Sequence, residues 1–326
     1  MSYILQFWYY TNREVRLYSL IDKAMNYYKP EKSKHYKKSL LAYLDIIGFK
    51  KKVDSSLKFS EEAEAIYELL LVHHRTTQII NKGKPAPPVE MTKLKATSFS
   101  DNIVISLPSM NDKTFRLFVD LVTYFQWETI DYYSFLRGAI VFGDICHTKE
   151  VVFGPAIIHA YEIERKVAKW PRVVVDPQLV GLLSEKNRQF VFDYMLSKDA
   201  NGLPFVDYLR YIFLSKLSEE HNGTDKPPWD LTAEFVFRQH RHSISSALSS
   251  PRLSRRVLFG FYNLSIYHND CIDRICREFE SDEYFPTLDE KSKKRHISIL
   301  QGEKINLNDV FGRYHKFLHT HQPIPP

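Results

Sequence analysis

Two aspartates stand where hydrophobic, strand-like runs give out: Asp45 in LAYLDIIGF (41–49) and Asp101 in ATSFSDNIVISLP (96–108). A single aspartate beside turn residues is ordinarily a cap. Two of them on neighbouring strands bring like charges within a few ångströms, an arrangement that a cation relieves. Carboxylates paired in this way hold two divalent ions about 3.5–4 Å apart, which activates an attacking hydroxyl and neutralises a leaving pyrophosphate. The chemistry this pattern suggests is on a nucleoside triphosphate.

Several nearby residues fit such a reaction. The backbone of Ile46, Ile47, Gly48 and Phe49 leads into a helix, whose unpaired N–H groups favour phosphate oxygens; Gly48 serves equally well simply to turn the chain. Lys95 and Thr97 lie on the strand leading to Asp101, and alternation sets residues 95, 97, 99 and 101 on one face. That face either reads a base edge or is core. Arg137 opens the run LRGAIVF, as a catalytic cation or as a packing arginine with its stem on the sheet. Arg165 and Arg172 are the next cations able to stabilise transition-state charge. Neither His73-His74 nor His240/His242 has metal-ligand spacing. Cys146, Cys271 and Cys276 form no CxxC and point to neither a disulfide framework nor structural zinc. Tyr132-Tyr133 and Phe259–Phe261 are read as core or dimer interface.

The elements that carry these residues follow from periodicity. Helical spacing is expected over 12–28, and a strand buried on both faces over 40–46. A helix is expected over 59–81, opened by Ser60 with Glu61 and Glu62. After the turn-rich 81–90, strands at 91–99 and 102–107 form a hairpin around Ser100-Asp101. Next come a helix over 112–131, strands at 135–142 and 150–153, a helix within 154–170, a strand at 172–176 and a short helix over 177–185. Residues 197–209 read as a turn and a short strand, 221–230 as a loop, and 231–280 as helix-rich. The order β-α-ββ-α-β-β-α-β implies an α+β mixed sheet with flanking helices. The organisation expected is an N-terminal helical extension (1–37), a catalytic domain (38–195) and a mainly helical C-terminal appendage (196–326).

Composition narrows the classes. The chain has 326 residues, 44% of them hydrophobic and 14% aromatic, enough for a substantial core. A net charge of +6 favours anionic small molecules but falls short of a dedicated nucleic-acid binder. Lysines cluster at 32–38 and 50–52, on a solvated surface or facing a polyphosphate. The start, MSYILQFWYY, lacks the basic and small-residue flanks of a signal peptide, and no apolar run reaches the roughly 18 residues needed for a membrane span. A cytoplasmic protein without direct membrane insertion is expected.

The segments DIIGF (45–49), FSDNIVIS (99–106), LRGAIVFGD (136–144) and GPAIIHAYEIE (154–164) resemble, in that order, class III nucleotidyl cyclase domains. The resemblance implies a palm-like α+β fold and a head-to-tail homodimer with sites at the interface. It also implies two divalent metals, Mn²⁺ or Mg²⁺, on Asp45, Asp101 and the backbone of Ile46. Purine cyclases carry a base-reading Lys where this chain has Thr97, and an Asn and an Arg where it has Ile158 and Glu162. The shorter signature is more similar to the bacterial antiphage pyrimidine cyclases of the Pycsar type, extending the likeness through Pro171–Val174 and the D-x-x-G…F-x-D-Y-L stretch that ends at Leu209 to FYNLSIYHN (261–269). This implies conversion of UTP or CTP to a 3′,5′-cyclic monophosphate read by a separate effector. A degenerate nucleotide-binding regulatory domain and another palm-type nucleotidyltransferase are the alternatives.

Overall fold

The computed structural model describes residues 35–82, 92–222, 233–249, 253–281, 285 and 288–312; the expected helix over 12–28 lies outside them. Among the described residues the chain is a mixed α+β structure built on an eight-stranded sheet. In chain order its first half comprises β1 (Lys37–Ile46), α1 (Phe49–Ser56), α2 (Ser60–Lys82), β2 (Lys95–Phe99), β3 (Asn102–Leu107), α3 (Asp112–Ile130), β4 (Leu136–His147), β5 (Val152–Phe153) and α4 (Pro155–Lys166). Then follow β6 (Val173–Val175), α5 (Pro177–Gly181), α6 (Glu185–Tyr194), β7 (Leu196–Lys198), β8 (Pro204–Val206) and α7 (Tyr208–Asn222). The last helices are α8 (Phe235–Leu248), α9 (Arg255–Glu280), α10 (Glu290–Gly302) and α11 (Leu307–Phe311).

The strand order is β2-β3-β1-β4-β6-β8-β7, with β5 paired to the end of β4. β1 is central and antiparallel to both β3 and β4, while β6 runs parallel to β4. Burial on both faces explains the continuous apolar run of β1. Leu40, Ala42, Leu44 and Ile46 enter the larger core with α3, whereas Leu41 and Tyr43 enter a smaller core against α4. α3 is started by an Asn111–Thr114 capping box and buries Phe115, Phe118 and Phe125. α4 follows Gly154, has Pro155 in its first turn, and lies on β1 and β4 through the small residues Ala156 and Ala160.

Several boundaries differ from the sequence reading. β2 begins at Lys95 rather than 91, and the expected helix over 177–185 is two helices, with the Ser184 hydroxyl capping the second. The helix α1, of whose lysine-rich sequence only Phe49 is buried, precedes the helix expected over 59–81. β7 and β8 follow position 195 yet pair into the same sheet. Phe261, Leu264, Ile272 and Phe279 of α9 share the core of β1, β3 and α3. Arg210 of α7 is 1% exposed and grips Glu278 of α9 through Nε and Nη2 (2.8 Å to Oε1), while its Nη1 donates to the Asp193 carbonyl. No helix among the described residues is long and apolar enough to cross a membrane.

Candidate active site

The site forms at one end of the central strands. On β1 the odd residues Leu41, Tyr43 and Asp45 alternate onto the α4 face. Asp45 lies opposite Asn102 of β3 and Arg137 of β4. The β2–β3 turn occupies Ser100-Asp101, with Ser100 at φ 56°, and the Ile46 N–H donates to the Asp101 carbonyl at 2.9 Å. That bond docks the hairpin tip against the end of β1, so the two aspartates are neighbours. The Asp101 carboxylate accepts the Asn102 side-chain N–H at 2.9 Å, and the Tyr43 hydroxyl donates to the Asn102 side-chain oxygen.

Arg137 joins the acidic pair. Its Nε–H donates to Asp45 Oδ2 at 2.9 Å, and the same nitrogen lies 2.6 Å from Oε1 of Glu164 on α4. Burial raises the Asp45 carboxyl above its ordinary range; Arg137 opposes this and Asp101 adds to it. Glu164 is raised for the same leading reason, again opposed by Arg137 and reinforced by Asp45. Burial, followed by the charges of Glu164 and Asp45, also pushes the Tyr43 phenol up. This close fit depends on Gly138, where a Cβ would stand 2.2 Å from the Tyr43 carbonyl oxygen.

The Ile46–Phe49 loop adjoins Asp45. Gly48 takes φ 80°, a left-handed conformation open to glycine. Ile47 N–H donates to the Phe135 carbonyl at 2.9 Å and Phe49 is buried, so the loop is anchored on both sides. Helix α1 starts without a side-chain cap, and Ile46 has a buried side chain, leaving its main chain as its contribution.

Lys95 and Thr97 do lie on the Asp45 face, since their partners Ser106 and Val104 pair with Leu41 and Tyr43. Both are engaged by His147 at the end of β4. Thr97 Oγ1 is 2.9 Å from His147 Nε2, Ser106 Oγ is 2.7 Å from Nδ1, and the Lys95 ammonium donates to the His147 carbonyl. Burial, then the Lys95 charge, lowers the His147 pKa to about 4, which keeps the ring neutral. Arg165 is exposed on α4. Arg172 is buried and committed elsewhere, donating to Asp199 Oδ2 at 2.6 Å and stacking on Trp170.

Glu164, His147 and Arg256 were missed by the sequence reading. Glu164 had a signal: it repeats the four-residue spacing of Ala156 and Ala160, a carboxylate on the buried stripe. Arg256, exposed in the first turn of α9, acts on the charges of Asp45 and Glu164 from a distant segment, and nothing in its local sequence marks it.

Asp45, Asp101 and the Ile46 main chain form an all-oxygen donor set beside an additional buried carboxylate oxygen, Glu164 Oε1, that has no hydrogen-bond donor among the described residues. That chemistry fits a hard divalent cation. Among the described residues no group of three or more His, Cys, Asp or Glu forms a ready-made metal cluster. A hollow of about 500 Å³ on α8, lined by Arg238, Arg241 and His242 among others, contains neither aspartate. No protein-family model matches the chain, and no curated protein matches it.

Proposed function

We propose that this protein is a pyrimidine nucleotide cyclase with a palm-like catalytic sheet, converting UTP or CTP to the 3′,5′-cyclic monophosphate. The observation that carries the reading is the junction of Asp45 and Asp101, fixed by the Ile46–Asp101 backbone bond next to the Gly48 loop and Arg137. In the reaction the ribose 3′-oxygen bonds to the α-phosphorus as the bond to the bridging oxygen breaks, releasing pyrophosphate and a proton. Two divalent ions, Mn²⁺ or Mg²⁺, held by Asp45, Asp101 and the Ile46 carbonyl, would supply charge neutralisation and hydroxyl activation. The chain's own share is positioning. The 46–49 main chain offers N–H groups to the phosphates, and Arg137 supplies a fixed cation beside the acidic pair.

The proposed assembly is a homodimer. Phe99, on the strand leading to Asp101, is 51% exposed, and on α4 Tyr161, which packs on Tyr43, is 40% and Ile158 64% exposed, apolar side chains suited to a second copy. Base contacts fall to Lys95, Thr97 and the partner chain, with the His147 bonds setting the orientation of the first two. Arg165 is the more accessible of the two α4-side arginines for substrate. The catalytic unit would span 38–195 with the C-terminal helices appended, in a cytoplasmic enzyme. Its product would serve antiphage signalling through a separate effector. Incubation of the protein with each of the four nucleoside triphosphates and Mn²⁺ tests the reaction: a cyclic pyrimidine monophosphate supports it, and no cyclic product from a folded dimer refutes it.

The Arg137 clasp on Asp45 favours one alternative, a regulatory domain that binds nucleotide without turnover. Metal-independent nucleotide binding, unchanged by Asp45→Asn and Asp101→Asn in calorimetry, would select it.

A further inference from the structure

Arg137 Nε carries one hydrogen and faces two carboxylates. The hydrogen goes to Asp45 Oδ2 at 2.9 Å, while Glu164 Oε1, although only 2.6 Å from the same nitrogen, receives no hydrogen bond from any donor among the described residues. Glu164 is 4% exposed, so water does not readily compensate that oxygen. The four N–H groups on the guanidinium fork make no hydrogen bond among the described residues. Among the described residues Arg137 is thus held by one hydrogen bond, with a second carboxylate already in ion-pair contact as an alternative acceptor.

We infer that Glu164 is the positioning residue of Arg137: it takes over the Nε–H when Asp45 turns to a divalent cation, and so keeps the guanidinium in the site. The inference rests on the proposed metal role of Asp45. A cation at Asp45 competes with Arg137 for the same carboxylate. Without a second anionic acceptor, the arginine must either hold Asp45 against the metal or lose its charge-assisted bond. With Glu164 the donor changes acceptor by a small rotation and the net charge between the carboxylates stays balanced. The fork then remains beside the acidic pair, free to meet phosphate oxygens. Glu164 touches neither metal nor substrate in this role.

Mn²⁺ binding to the purified full-length protein, followed by the electron paramagnetic resonance signal of free Mn²⁺, separates the possibilities. Glu164→Met, which keeps side-chain length but offers no oxygen acceptor, is expected to weaken Mn²⁺ binding about tenfold, the lower end of effects from outer-shell partners. In an Arg137→Met background, where nothing competes for Asp45, the same substitution is expected to change binding less than about twofold, as for uncoupled sites. As a second readout, the Arg137 Nε–H resonance should persist in wild type saturated with Mg²⁺ and be lost to water exchange in Glu164→Met. Wild-type affinity in Glu164→Met, or equal weakening in both backgrounds, overturns the positioning role while leaving the metal site standing. Mn²⁺ binding that is absent, or indifferent to Asp45→Asn, removes the proposed metal site and this inference together.

Discussion

Ile46 and Asp101 are joined by a backbone hydrogen bond of 2.9 Å, and through it the tip of the β2–β3 hairpin is docked on the last residues of β1. Since the bond uses main-chain atoms, the Asp101 side chain can be changed without releasing the hairpin. Asp101→Asn and Asp45→Asn are therefore expected to leave the thermal midpoint within a few degrees of wild type. Cyclase activity should fall at least about 100-fold, as when one preorganised charge-stabilising group is lost. Product chromatography together with calorimetric melting checks both halves; loss of folding in Asp101→Asn would contradict the main-chain docking.

Gly138 tests how closely β1 and β4 must approach. An added Cβ meets the Tyr43 carbonyl oxygen at 2.2 Å, and backbone on a central strand has little room to yield. Gly138→Ala is expected to cost about 3 kcal/mol or more in urea unfolding, the upper end of overpacking penalties. Gly48→Ala, with nothing within 4 Å but φ at +80°, should cost about 1–2 kcal/mol from the left-handed backbone alone. Gly181, in a helix with no such strain and nothing within 4 Å, should accept alanine without loss.

The buried histidines predict an acid limb in stability. His268 Nε2 lies 3.0 Å from the Glu303 carbonyl and must donate, so its Nδ1 accepts from His240 Nδ1 at 2.9 Å, and His240 Nε2 accepts from the Tyr208 hydroxyl at 2.6 Å. Both rings are neutral in this chain, and burial lowers His268 to about 4. Because the folded value lies below the unfolded one, the unfolded chain binds the extra proton and stability falls as pH drops below about 6.5. For His268 alone the loss between pH 7 and pH 5 is about 2 kcal/mol. The raised carboxyls of Asp45 and Glu164 act in the opposite direction, from their unfolded values upward. Urea unfolding at the two pH values should therefore show a flatter dependence in His268→Gln than in wild type. An unchanged slope contradicts the network.

The apolar rim of the site predicts dependence on a second copy. Phe99→Glu, at a half-exposed position beside the acidic pair, is expected to shift sedimentation from dimer to monomer and to reduce activity at least about tenfold, as burying an unpaired charge disfavours association. A fully active monomer would contradict the dimeric site.

Much of this arrangement was legible because it is local. The continuous apolar run that ends at Asp45, the two-residue turn at Ser100-Asp101 and the glycine after DII each declare a strand end or a turn within a few residues. Gly138 was visible in LRGAI, but only the structure gives its reason, the Tyr43 carbonyl across the ladder. His147 was invisible as a site residue since its partners Thr97 and Ser106 lie 50 and 41 positions away. Glu164 was hidden differently: it looks like one more charge in EIERK, and its burial follows only from the side of α4 that meets the sheet. β7 and β8, three residues each, are too short to declare periodicity, so their place in the sheet comes from pairing alone.

Mass spectrometry of the products formed from UTP, CTP, ATP and GTP with Mn²⁺ tests the central claim most directly. A cyclic monophosphate from UTP or CTP and stoichiometric pyrophosphate, both absent with Asp45→Asn, is the predicted result. Linked nucleotides, a purine product, or no turnover by the folded dimer would contradict it.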